Sequence, residues 1–160
     1  MQTLTSRIEA VADLGGTVTF KNGDDSQVLS WAELHDDARA MAAALQARGI
    51  EPGMHVGLLG PTTRPLVTGI SATWLAGATL MMLPLPMRLA SIEDFVAQTR
   101  MRLRQGDVDL LIGAIDNLSD HRFQAMTAEL EGHRVDVIGY IVTSQPDKGL
   151  ACEVREIGGA

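Results

Sequence analysis

The sequence predicts an α/β fold: a mainly parallel sheet with helices on both faces and a small hairpin at the N-terminus. Three observations predict it. Short apolar runs alternate with longer segments whose apolar residues recur every three or four positions. The runs His55–Leu59 (HVGLL) and Thr79–Leu83 (TLMML) are almost continuously apolar, as strands covered on both faces are. Helix-start and helix-stop residues punctuate the passages between runs.

Taken in order, Ser6–Leu14 reads as a short amphipathic helix. Val18–Lys21 and Gln27–Leu29 read as two strands joined by the Asn22-Gly23-Asp24-Asp25 turn. The helix expected over Trp31–Arg48 is the best specified element. Ser30 can accept a bond from the Glu33 backbone while the Glu33 carboxylate reaches back to the Ser30 N–H, a capping box. Leu34, Ala38, Met41, Ala42 and Leu45 share one face, and Asp36, Asp37, Arg39, Gln46 and Arg48 point largely elsewhere. Gly49 supplies the left-handed residue that stops the helix, with Ile50 folding back onto its last turn, and Pro52-Gly53 turn the chain into the strand. A helix from about Arg64 to Ala78, a buried strand Thr79–Leu83, a helix Ile92–Arg104 and a strand Leu110–Ile112 follow. A helix near Asp120–Glu131 and a strand Val135–Val142 complete the alternation, whose crossovers are expected to be right-handed. Periodicity weakens after Gln145, so residues 1–145 are expected to form the α/β unit and residues 146–160 a loose polar tail or boundary segment.

Composition narrows the function classes. At 160 residues the chain has enough surface to bury a core. A net charge of −7 argues against a nucleic-acid surface, which needs a basic field, and 4% aromatic residues are too few for a base-stacking platform. The single Cys152 permits no intrachain disulfide, and no basic segment followed by an apolar core marks a signal peptide; a reduced, cytoplasmic protein is the expectation. Leu66–Met87 carries no charge and is long enough to cross a bilayer. Its threonines, Gly69, Gly77, Pro84 and Pro86 instead read as a buried helix followed by a buried strand, and the chain is expected not to be transmembrane.

Several pieces in fixed order carry a family resemblance: Leu29–Leu34, Ala47–Gly53, Val56–Pro61, Trp74–Ala78 and Pro84–Leu89. They resemble the N-terminal part of the adenylate-forming, or acyl-activating, superfamily, and Leu83–Leu103 is most similar to its fatty acyl-AMP ligase branch. The resemblance implies that a full-length enzyme joins a fatty acid to ATP, with Mg²⁺, and passes the acyl group to an acyl-carrier protein or CoA. It also implies a Ser/Thr/Gly-rich loop ending in Pro-Lys-Gly, a Tyr-Gly-x-Thr-Glu stretch, a ribose-binding Asp and a late Lys, none of which occurs here. The chain is therefore expected to be a fragment supplying scaffold and part of an acyl-pocket wall, inactive alone and binding no cofactor by itself. Two other readings stay open: a self-contained flavodoxin-like binding module, and a non-catalytic truncated paralogue that pairs with another enzyme.

No residue is assigned as catalytic, cofactor-binding or metal-binding. In TSQPDKG, Thr143–Gly149, the glycines that would gather backbone N–H groups around phosphate are missing, and Asp147 would repel it. The passage Gly57–Pro65 could present helix N–H groups to an anion, but a tight turn with Thr62 or Thr63 as helix cap is the expected use. His35, His55, His121 and His133 show no ligand spacing. Arg88, Arg100, Arg102 and Arg104 are basic, yet Arg102 points away from Arg100 and Arg104, as on a solvated helix end. Asp24-Asp25 and Asp36-Asp37 fall in a turn and on a polar helix face, with no partner that would raise a pKa for acid chemistry, and read as solubilising charge. Met81, Met82 and Met87 could border an acyl channel, with core packing expected for the first two.

Overall fold

The computed structural model describes residues 3–85, 91–115, 136–145 and 149–156. The N-terminal helix α1, Leu4–Ala12, begins earlier than its periodicity indicates because the Thr3 hydroxyl accepts the Ser6 N–H and caps it. Strands β1, Thr17–Asn22, and β2, Asp25–Ser30, pair antiparallel with Asn22 opposite Asp25, so the hairpin turns through Gly23 and Asp24. Helix α2, Trp31–Ala47, starts with the complete capping box: Glu33 N–H to Ser30 Oγ at 3.1 Å and Ser30 N–H to Glu33 Oε2 at 2.8 Å.

Strand β3, His55–Leu59, helix α3, Arg64–Leu75, strand β4, Thr79–Leu83, helix α4, Ile92–Gln105, and strand β5, Leu110–Ile115, follow in alternation. The three helices that feed β3, β4 and β5 end alike. In each, a residue at positive φ follows the last turn and the next N–H reaches back five residues into the chain's own helix: Ile50 to Leu45, Ala78 to Thr73 and Val108 to Leu103. Gly49 and Gly77 hold the positive-φ position without a steric penalty, whereas the third helix places Asp107 there at φ 47°. The apolar residue after each stop is buried, which aims the chain back into the sheet.

The large sheet has the order β4-β3-β5-β6-β7, where β6 is Asp136–Gln145 and β7 is Gly149–Glu156. Strands β4, β3, β5 and β6 run parallel, and β7 is antiparallel to β6. The expectation of a loose tail after Gln145 is thus corrected for residues Gly149–Glu156, which form a strand; pairing along β6 supplies order that no internal period announces. The helix expected at Asp120–Glu131 lies outside the described residues.

Helices cover both faces. Val56 and Leu58 of β3, with Leu110 and Ile112 of β5, pack against Met41 and Leu45 of α2 and Leu66 and Ala72 of α3. Leu59 and Leu111, pointing the other way, pack against Phe95, Val96 and Leu103 of α4. β4 is the edge strand, and this corrects the expectation that Thr79–Leu83 is buried throughout: Leu83 is covered, Thr79 is exposed and Met82 is 47% exposed. Met81 packs beside the α4 cluster as a core methionine, Met82 does not, and Met87 lies outside the described residues. The uncharged stretch from Leu66 is divided between α3 and β4, and among the described residues no helix is long and apolar enough to cross a membrane.

Candidate functional site

The chain leaves β3 through α3 toward β4 on one side, then returns through α4 to β5 on the other. Crossovers of one hand that travel in opposite directions must lie on opposite faces, as α3 and α4 do. The order reverses between β3 and β5, and in open α/β sheets the crevice outside the carboxyl ends of two such strands is where ligands bind. On the β3 side the crevice is bounded by Gly60, Pro61, Thr62 and Thr63; on the β5 side the chain continues outside the described residues.

The Gly60–Thr63 segment is held from within. The Thr63 N–H donates to the Pro61 carbonyl at 2.8 Å, and its hydroxyl lies 3.4 Å from the same oxygen. Thr63 occupies the N-cap position of α3 but makes no side-chain cap bond, which corrects the expectation of a threonine cap. Pro65, in the first turn, removes one N–H from a potential anion site.

Arg64 opens α3, where a cation opposes the helix dipole, and its charge is answered from α2. Its Nε and Nη2 donate to Asp37 Oδ2 at 3.0 and 2.6 Å, with side chains only 10% and 14% exposed. Asp37 is thus largely covered and paired, which corrects its reading as solubilising charge. Burial raises the Asp37 carboxyl above its ordinary range, against the pull of the Arg64 guanidinium. Glu33 moves the other way: the Ser30 backbone and side-chain hydrogen bonds hold its carboxyl below the ordinary value. At the opposite end of the strands, the His55 N–H donates to Asp109 Oδ2 at 2.8 Å, the Asp109 N–H donates to the His55 carbonyl at 2.9 Å, and His55 Nδ1 lies 3.2 Å from the Asp107 carbonyl. These bonds seal the amino ends of β3 and β5.

The other sequence candidates are not brought together. His35 is on α2 and His55 begins β3, while His121 and His133 lie outside the described residues. Among the described residues no three His, Cys, Asp or Glu side chains converge as metal ligands would. Arg100, Arg102 and Arg104 all sit on α4, the last two in its final turn, where cations complement the dipole; Arg88 lies outside the described residues. In TSQPDKG, Thr143–Gln145 end β6 and Gly149 begins β7, with Gln145 and Gly149 as register partners. Pro146, Asp147 and Lys148 lie outside the described residues.

A second concavity was not legible in the sequence. Helix α1 packs on α2 and α3 and leaves a pocket of about 310 Å³ whose polar and aromatic lining is Arg7, Trp31, His35, Ser71 and Trp74. Aliphatic side chains, Ile8 and Val67 among them, supply the rest. The sequence signal was the pair of tryptophans, the only two in the chain, separated by more than forty residues and so without apparent relation.

Comparison with known proteins follows the same frame. A family model described as AMP-binding enzyme matches residues 8–147. The chain is 32% identical over 93 residues to the 3-[(3aS,4S,7aS)-7a-methyl-1,5-dioxo-octahydro-1H-inden-4-yl]propanoyl:CoA ligase of Rhodococcus jostii, a match covering 57% of this chain and 17% of that protein. A fatty acyl-adenylate ligase from L. pneumophila, solved with acyl adenylate and pyrophosphate, superposes with a TM-score of 0.64 at 21% identity, covering 84% of this chain and 22% of that one. A benzoate CoA ligase from Burkholderia xenovorans gives 0.64 at 19% identity, covering 99% and 31%. At such identities the structural likeness speaks for the fold, and the chain spans less than a third of each of these three proteins' lengths.

Proposed function

The chain belongs to the AMP-binding enzyme family, and from that premise we propose that it is the leading part of a cytoplasmic ATP-dependent ligase that activates fatty acids as acyl-adenylates. In that reaction a carboxylate oxygen bonds to the α-phosphorus of ATP, the bond between that phosphorus and the bridging oxygen breaks, and pyrophosphate leaves. The acyl group then passes to a thiol acceptor, CoA or an acyl-carrier protein. The observation that carries the reading is the family match over residues 8–147, which runs through the whole strand alternation from β1 to β6. A fatty acyl-adenylate ligase and a long-chain-fatty-acid-CoA ligase among the proteins of similar fold support the substrate class.

The role of the present residues follows from what they hold. Arg64–Asp37 fixes the first turn of α3 against α2, and so fixes the Gly60–Thr63 wall of the crevice. In-line chemistry at phosphorus depends on positioning and on donors that neutralise developing charge, and those donors belong to residues beyond this set. The chain contributes scaffold and wall.

The test is fatty-acid-dependent pyrophosphate release from ATP, measured on the product of the complete reading frame and on the 160-residue chain. Release by the former and none by the latter is the expected pattern. A folded full-length product that releases no pyrophosphate with any fatty acid tested would overturn the reading.

A further inference from the structure

We propose that the pocket between α1, α2 and α3 is a binding site for an apolar monocarboxylate, distinct from the crevice at the strand ends. Its volume, about 310 Å³, falls at the lower end of small-molecule sites, which run from roughly 300 to 1,000 Å³. Its position is set by the helices alone: α2 and α3 turn their other sides to the sheet, and α1 crosses them from outside. A ligand there touches neither Gly60–Thr63 nor the Arg64–Asp37 pair.

The lining defines the ligand. Trp31 and Trp74 offer two large apolar side chains, and Ile8 and Val67 join them in the lining, so the body of the ligand is hydrocarbon. Arg7 is the only formally charged side chain in the lining, and no carboxylate accompanies it. In a chain of net charge −7, a pocket whose one charge is a guanidinium selects an anionic head group. The Ser71 hydroxyl adds a neutral donor, and the His35 ring forms part of the same wall, its Nδ1 buried without a hydrogen-bond partner among the described residues. One cation, one hydroxyl donor and an apolar lining match a monocarboxylic acid with an aliphatic chain.

The inference does not depend on adenylate chemistry, and its test uses neither ATP nor Mg²⁺. Both tryptophans of the chain line the pocket, so intrinsic fluorescence reports on it selectively. Titration of the 160-residue chain with octanoate is expected to give a saturable change in tryptophan emission. Octylamine, which keeps the hydrocarbon and inverts the charge, is expected to bind about tenfold more weakly, a ratio set by one charge-assisted hydrogen bond. Arg7→Gln, on the exposed side of α1, is expected to cost octanoate about tenfold and to leave octylamine unchanged. Ser71→Phe fills the pocket and abolishes the response. The proposal falls if octanoate gives no saturable change, if octylamine binds equally well, or if octanoate binding survives in a folded Ser71→Phe variant. It also falls if the product of the complete reading frame shows no response because another segment occupies the pocket.

Discussion

Replacing Arg64 and Asp37 by leucine, singly and together, tests whether the two helices flanking the crevice are held by a desolvated ion pair. Removing one member of a fully buried pair costs about 3–5 kcal/mol, because the other charge is left without compensation. Here both side chains keep a narrow solvent edge, 10% and 14% exposed, so a discounted loss of about 2 kcal/mol is expected for each single variant. The losses have different origins. In Arg64→Leu the Asp37 carboxyl keeps its desolvation and loses its attraction, so its folded pKa rises further. An acid whose folded pKa is raised contributes stability below its unfolded pKa and loses it as pH rises through the folded value; the deficit of Arg64→Leu must therefore grow with pH across that interval. In Asp37→Leu an unpaired guanidinium remains at the start of α3, opposed by the helix dipole, and Arg64 cannot shed its proton. The double leucine variant removes both burdens and is expected within about 1 kcal/mol of the parent, giving a coupling of about 3 kcal/mol or more. Urea unfolding at neutral pH measures all four proteins. Single losses below about 0.5 kcal/mol with additive double-variant behaviour would mean that the pair acts as an ordinary surface contact, and that Gly60–Thr63 owes its position to something else.

Two further outcomes follow from local geometry. Asp107→Gly relieves a non-glycine residue at φ 47° and keeps the carbonyl that faces His55 Nδ1, so thermal unfolding is expected to shift upward by the equivalent of about 0.5 kcal/mol. Glu33 has its carboxyl held below the ordinary value of 4.5 by the Ser30 hydrogen bonds, so the capping box contributes fully above that value and is lost as pH falls through the folded pKa. Ser30→Ala is expected to cost about 1 kcal/mol at neutral pH, and its deficit should shrink in acid, read from denaturation midpoints across that range.

What was legible in the sequence is what depends on near neighbours. The Ser30–Glu33 box, the Gly49 stop with Ile50 folding back, and the hairpin turn at Gly23 each involve residues within a few positions of one another, and each appears as read. The partner of Asp37 stands twenty-seven residues away, on another helix, and no local period marks it. The exposure of Met82 follows from β4 taking the edge of the sheet, a matter of strand order that an apolar run does not encode. β7 escaped notice for a related reason: Gly149–Glu156 mixes charged and apolar residues and takes its strand character from β6. The α1 pocket depends on three helices meeting, which no local period announces.

Several polar side chains among the described residues are engaged in holding shape. Glu33 is spent on a helix cap, Asp37 and Arg64 on each other, Asp109 on the His55 backbone, and the Thr73 hydroxyl on the Gly69 carbonyl at 2.8 Å. A group committed in this way reaches a substrate only by breaking its bond, which costs about as much as a new one returns. The crevice wall on the β3 side accordingly offers a shaped backbone whose neighbouring polar side chains are already committed to one another.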